Sequence, residues 1–110
     1  MTRKEKLIEI GKRCESGDVS ICDMSRCFGR LFNTYKGGMF SDALEGDITS
    51  AAKLEKELLP KGAHQSMWRT EDGQYGFNYE GEIYTLQAYS NEEPLARLAA
   101  LCYALAELEA

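Results

Sequence analysis

Residues Trp68 to Tyr89 read WRTEDGQYGFNYEGEIYTLQAY. Tyr75, Phe77 and Tyr79 recur at every second position, the period of a strand whose side chains alternate between two faces. Two acidic glycine turns, Glu71-Asp72-Gly73 and Glu80-Gly81, interrupt the pattern. Asp-Gly is a strong hairpin signal because both residues tolerate positive φ. The stretch therefore predicts three strands: His64 to Thr70, a second carrying the three alternating aromatics, and Glu82 to Ser90. Successive strands joined by short turns make an antiparallel meander. On the third strand Tyr84, Leu86 and Ala88 share one face, and Ile83, Thr85, Gln87 and Tyr89 share the other. One face of such a sheet must be covered. Phe77, Tyr75 and Tyr84 are expected in the core, which leaves Trp68 and Tyr89 as the candidates for an exposed aromatic surface.

The cover comes from downstream. Asn91 can cap a helix, and Pro94 fits its first turn, where a missing N–H costs little. Leu95, Leu98, Ala99, Cys102, Leu105 and Ala106 form a broad apolar stripe that has to be buried, most simply against the sheet.

Upstream, Thr2 and Glu5 have capping-box spacing, in which each side chain satisfies an orphan backbone donor of the other residue. Leu7, Ile10 or Gly11, and Cys14 then recur at helical spacing up to a stop at Gly17. A second helix is expected from Ser20 to Phe32, with Ile21, Met24, Phe28 and Leu31 on one face. The segment from Asn33 to Met39 breaks the period, and Gly37-Gly38 reads as a flexible loop. Asp47 or Thr49 caps a third helix through Leu59, striped by Ala51, Leu54 and Leu58 and ended by Pro60. The expected architecture is a single α+β domain over residues 1–110: a three-stranded antiparallel meander packed by a C-terminal helix, with N-terminal helices, in the order α-α-α-β-β-β-α.

The chain has 110 residues, 44% of them hydrophobic, and a formal net charge of -5. It contains no apolar run long enough to span a bilayer and no uninterrupted apolar stretch at its start. A cytoplasmic protein is expected, with Cys14, Cys22, Cys27 and Cys102 as reduced thiols. The charge is divided. Residues 1–40 carry a balance of +3, through Arg3, Lys4, Lys6, Lys12, Arg13, Arg26, Arg30 and Lys36, while residues 41–110 carry -8. Between Thr70 and Ala96 lie Glu71, Asp72, Glu80, Glu82, Glu92 and Glu93, with no basic side chain. A field of one sign attracts partners of the other sign and repels nucleic acid.

No constellation meets the demands of catalysis. Cys22 and Cys27 are five residues apart, which on a helix turns their sulfurs to different faces, and a second ligand pair for zinc is missing. His64, the sole histidine, has Ser66 beside it on a strand but no third group to orient a base. Gly11-Lys12 lacks the earlier glycine of a phosphate loop, and Gly73, Gly76 and Gly81 do not form a dinucleotide fingerprint. No enzyme, no metal and no cofactor is expected.

DITSAAKLEKELLP (Asp47 to Pro60), the strands bearing Trp68 and an Asp-Gly turn, and LQAYSNEEPLARLAALCYALAEL (Leu86 to Leu108) together resemble the phage ABA sandwich family of small phage and prophage proteins. KLIEIGKRCES (Lys6 to Ser16) is similar to that family's first helix, whereas Arg30 to Asp42 departs from its pattern. The resemblance implies an α-β-α arrangement and a phage origin, and it carries no functional residues. On that basis the expected function is non-enzymatic binding of a host protein with a basic surface, with inhibition of a host defence complex in the anti-CRISPR manner as its concrete form. The expected contact residues are Glu71, Asp72, Glu80, Glu82, Trp68 and Tyr89. Direct nucleic-acid binding and membrane insertion are not expected, and a homodimer is open. The alternatives are a small-ligand binder, such as a sponge for a nucleotide signal with Arg and Lys facing the phosphates, and a self-associating structural component of the phage.

Overall fold

The computed structural model describes residues 2–18, 20–60, 64–80 and 85–109, with the side chains of Thr85 and Leu86 outside that description. The order of elements is α1 (Arg3–Ser16), α2 (Ile21–Leu31), α3 (Thr34–Leu44), α4 (Ile48–Leu58), β1 (His64–Arg69), β2 (Tyr75–Glu80), β3 (Thr85–Ser90) and α5 (Glu93–Leu108). The fold is α+β. The strands form one antiparallel sheet in the order β1-β2-β3, with Met67 opposite Phe77 and Phe77 opposite Ala88.

Local chemistry sets most of the boundaries. Thr2 and Glu5 make the reciprocal capping box, and Gly17 ends α1 in the left-handed conformation at φ 78°. Asp47 caps α4 by accepting from the N–H groups of Thr49 and Ser50. These bonds hold the Asp47 carboxyl below its ordinary pKa, the Ser50 hydroxyl contributing most.

Three boundaries correct the sequence expectation. Residues 34–44 form a helix, not a loop, capped by the Asn33 side chain, which accepts from the N–H of Lys36 at 2.8 Å. Gly37 is a packing residue: a Cβ there would lie 2.7 Å from the Ser25 carbonyl oxygen and 2.9 Å from the Gly29 Cα. Two helix backbones meet at that point, and the Ser25 hydroxyl donates to the Gly37 carbonyl at 2.7 Å. Second, the N-cap position of α5 is Glu92, not Asn91, and its side chain makes no capping bond; the Glu92 N–H donates to the hydroxyl of buried Ser90. Third, in the first hairpin only Gly73 has positive φ, at 88°. Its N–H donates to the Thr70 carbonyl, giving a wider turn than the two-residue kind that Asp-Gly suggests. The second turn and the start of the third strand, Gly81 to Tyr84, lie outside the described residues.

The core forms around α5. Leu95, Leu98, Leu101, Cys102 and Leu105 are buried, and so are the alanines between them. One side of α5 meets β2 and β3, another meets α1, and α3 and α4 close the remainder. Phe77, Tyr79 and Ala88 supply the buried face of the sheet, as expected of Phe77. Tyr75 packs at its margin, and Tyr84 is outside the described residues. Phe28 stacks on Phe40 at 4.3 Å between centroids, joining α2 and α3 to the same core.

Gly37 and Gly38 are adjacent in α3 and should respond oppositely to alanine. Gly37→Ala forces the α2–α3 crossing apart and is expected to cost about 2 kcal/mol or more. Gly38→Ala meets open space and should stabilise by roughly 0.5–1 kcal/mol through lower unfolded-state entropy. Urea melts of the two variants test the assignment. A loop at this position would give two small effects of similar size.

Candidate functional site

Helices cover only one face of the sheet. On the other, Ser66, Trp68, Gly76, Asn78, Gln87 and Tyr89 follow one another by pairing register. Trp68 and Tyr89 lie opposite Gly76 from its two sides. The absence of a side chain at Gly76 gives the indole its seat: a Cβ there would be 2.6 Å from Trp68 Nε1. Seated so, the indole meets the Tyr89 ring edge-on at 5.9 Å and 79°. Both rings are half-buried. Ser66 and Gln87 on the same face are exposed, and the Tyr89 hydroxyl donates to Gln87 Oε1 at 3.1 Å. The result is an aromatic row crossing a polar sheet surface.

The backbone beneath the row is held from α1. Glu15 accepts from the Tyr89 N–H at 2.9 Å with one carboxylate oxygen and from the Tyr103 hydroxyl with the other. Tyr103 reaches it by crossing α1 at Gly11, where a Cβ would fall 2.9 Å from its ring Cδ1. Burial, followed by the hydrogen bond to Glu15, pushes the Tyr103 phenol pKa upward, so it stays protonated as a donor.

The expected contact residues divide into two groups. Glu71 and Asp72 are exposed in the turn beyond Arg69 and Tyr75, at the end of the sheet nearer Trp68 and Tyr89. Asp72 accepts from the Thr70 hydroxyl, which is the main reason its pKa lies below the ordinary value. Glu80 is exposed opposite His64 at the far end of β2. Five residue steps separate that end from Tyr75, about 17 Å. Glu82 lies outside the described residues. The structure thus joins Trp68, Tyr89, Glu71 and Asp72 at one end and sets Glu80 apart. Glu92 and Glu93 follow Ser90, which pairs with Tyr75, and so extend the acidic end. Among the described residues the ion pairs are Arg3–Glu109 and Arg97–Glu55, and none of the described basic side chains pairs with the Glu71, Asp72 or Glu80 carboxylate. One cation stands nearby: Arg69 donates to the Gly73 carbonyl at 3.0 Å and lies 4.6 Å over the Tyr75 ring.

β1 is uncovered on its other face as well. Met67 has the parity of buried Phe77, yet it is 49% exposed, because α5 reaches β2 and β3 and stops short of β1.

Sequence reasoning did not find the Glu55–Arg97 pair. Arg97 Nε donates to Glu55 Oε2 at 2.7 Å, the Tyr79 hydroxyl donates to the same oxygen, and the guanidinium lies 5.6 Å over Phe77. This network ties α4 to α5 and to the sheet. Its signal was available: Glu55 is four residues after Ala51 and therefore on the apolar stripe of α4. The basic residues of the first two helices also converge in part, with Lys6, Arg13 and Arg30 lining one groove.

Among the described residues no group of three His, Cys, Asp or Glu side chains is placed to hold a metal ion. All four cysteines are unbridged, with Cys22 and Cys27 exposed on α2 and Cys14 and Cys102 buried. Burial pushes the Cys14 thiol up to about 12 and Cys102 well above its ordinary value. No helix is long and apolar enough to cross a membrane among the described residues. Comparison with protein-family models, with curated proteins and with solved structures gives no match.

Two measurements check this geometry. Gly76→Ala should push the indole off its seat and red-shift the emission of Trp68, the sole tryptophan, with little loss of stability. An unchanged spectrum would place the ring elsewhere. A thiol-reactive disulfide reagent should titrate two thiols per native chain, Cys22 and Cys27, and four after denaturation.

Proposed function

We propose that this protein acts by binding another protein rather than by catalysis, through the solvent face of its sheet. The observation that carries this reading is the Trp68–Gly76–Tyr89 row, half-exposed and bordered at the near end by the exposed carboxylates of Glu71 and Asp72, which have no ion-pair partner among the described residues. Trp and Tyr are the residues that most often dominate binding energy once desolvated. Carboxylates around such a centre attract a basic partner over distance and contribute to on-rate more than to final affinity. Glu92 and Glu93 reinforce the field. Glu80 acts only on a partner wide enough to span the sheet. With the phage setting that the resemblance implies, the partner is a host protein with a basic surface, and occupation of a nucleic-acid-binding surface of a host defence complex is the effect.

The test uses capture from host lysate in three parallel forms: the native chain, Trp68→Ala, and Glu71→Lys with Asp72→Lys. A true partner is retained by the native chain. It should weaken about 30-fold in equilibrium binding to Trp68→Ala, corresponding to a hot spot of about 2 kcal/mol. The double charge reversal should slow association roughly tenfold at low ionic strength, with the difference shrinking as salt is raised. A partner held equally by all three forms would mean that binding occurs on another surface.

A further inference from the structure

A groove of about 230 Å³ opens between α1 and α2, on the helical side of the molecule. Its floor is aliphatic, formed by the buried residues Ile10, Met24 and Leu31. Lys6, Arg13 and Arg30 stand around it. Helical spacing puts them there, since Lys6, Ile10 and Arg13 are separated by four and then three residues and so share one side of α1. Among the described residues none of the three cations has a carboxylate within ion-pair distance, the two ion pairs lying elsewhere. Arg13 is also anchored. Its Nε donates to the Asp18 carbonyl at 3.1 Å, which holds the guanidinium, and its terminal nitrogens make no hydrogen bond among the described residues.

The charge balance singles this groove out. One carboxylate, Glu9, joins the three cations on its walls, giving a formal +2 in a chain whose net charge is -5. Unpaired like charges gathered at a concave apolar surface repel one another, and an anion relieves that repulsion. Two guanidiniums favour phosphoryl oxygens, which they bind in a forked geometry. No aromatic ring and no amide side chain lines the groove, so nothing there can stack on a nucleobase or read its edge. The aliphatic floor calls for an alkyl body.

We propose that the α1–α2 groove binds a small free amphiphilic anion, an alkyl phosphate, with its phosphoryl group held by Arg13, Arg30 and Lys6 and its chain lying on Ile10, Met24 and Leu31. A free molecule fits better than a lipid within a bilayer. On the adjoining outer face of α1, Glu5 and Glu9 are balanced by Lys12 and Arg13, so that face carries no net charge to hold an anionic membrane. This site is separate from the aromatic face of the sheet, and either can stand without the other.

Calorimetry and amide NMR of the full chain with octyl phosphate, shorter alkyl phosphates, inorganic phosphate and octanol test the proposal. Octyl phosphate should shift amides of α1 and α2. Each methylene added along the series should tighten binding about fourfold until the floor is covered. Inorganic phosphate and octanol should each bind at least tenfold more weakly than octyl phosphate. Arg13→Gln and Arg30→Gln should each weaken octyl phosphate roughly tenfold, while Glu9→Gln strengthens it, and these exposed or half-exposed positions can change without disturbing the core. Cys27, which lines the groove, should react more slowly with a thiol reagent when octyl phosphate is present, and Cys22 on the same helix should not. The proposal is overturned by equal affinity for octyl and inorganic phosphate, by indifference to both arginine variants, or by equal protection of both thiols. Binding to vesicles containing phosphatidic acid, with none to monomeric octyl phosphate, would also overturn it in favour of a membrane contact.

Discussion

Everything in this fold is arranged around a helix with almost no polar face. α5 buries Leu95, Ala96, Leu98 through Cys102, and Ala104 through Ala106, so it cannot rest on a surface and must be enclosed. A three-stranded sheet can cover one side only. The N-terminal helices supply the rest, α1 lying along one flank and α3 and α4 at the others. Alanines at 96, 99, 100, 104 and 106 keep α5 slender enough for close approach from several directions. Where large polar groups do enter, they arrive paired: Arg97 on Glu55, and Tyr103 on Glu15. A buried charge without such a partner would be expensive, and removing either member leaves the other stranded.

Enclosing α5 leaves one face of the sheet unused by the core. That face is freed from the demand for apolar packing, and its composition shows it, with Ser66, Gln87 and Glu80 exposed. Trp68 and Tyr89 are therefore not explained by burial of α5. Gly76 is the economical solution that lets a large ring lie flat across a central strand. Its equivalent on the helical side is Gly11, which lets Tyr103 cross α1 and reach Glu15. The two glycines act on the same strand region from opposite sides: Glu15 fixes the Tyr89 backbone while Trp68 packs on its ring.

Local features were legible in the sequence. The capping box at Thr2, the stop at Gly17, the Asp47 cap, the break at Pro60 and the alternating aromatics each depend on a few neighbouring residues, and each stands as expected. What failed depended on distance in space. Gly37-Gly38 carries the same letters as a loop, but Gly37 is glycine because the backbone of α2 runs against it, a fact no window around residue 37 contains. The N-cap position of α5 falls on Glu92, not Asn91, and its side chain makes no capping bond, while its N–H is taken by the hydroxyl of buried Ser90. The six carboxylates between Thr70 and Ala96 form one run in sequence, yet a strand about 17 Å long carries Glu80 away from Glu71 and Asp72. Glu55 and Glu15 are the instructive cases, since each sits on the apolar stripe of its helix. A charged residue at a core-facing position signals a paired partner even before the partner is known.

The division of charge along the chain becomes a division in space. β2 and β3 meet one side of α5 and α1 meets another, and α1 also touches β3, where Glu15 accepts from the Tyr89 N–H. The aromatic row lies on the solvent face of the sheet, while the groove opens on the side of α1 that meets α2. Exposed charges are screened over about 8 Å at physiological ionic strength. The local sign around Ile10, Met24 and Leu31 is therefore set by the side chains that line the groove, Lys6, Arg13 and Arg30 against Glu9. A net charge of -5 describes the chain as seen from afar. A ligand at either surface meets the local sign, acidic at the sheet end and basic at the groove, so one small protein can present two surfaces of opposite preference.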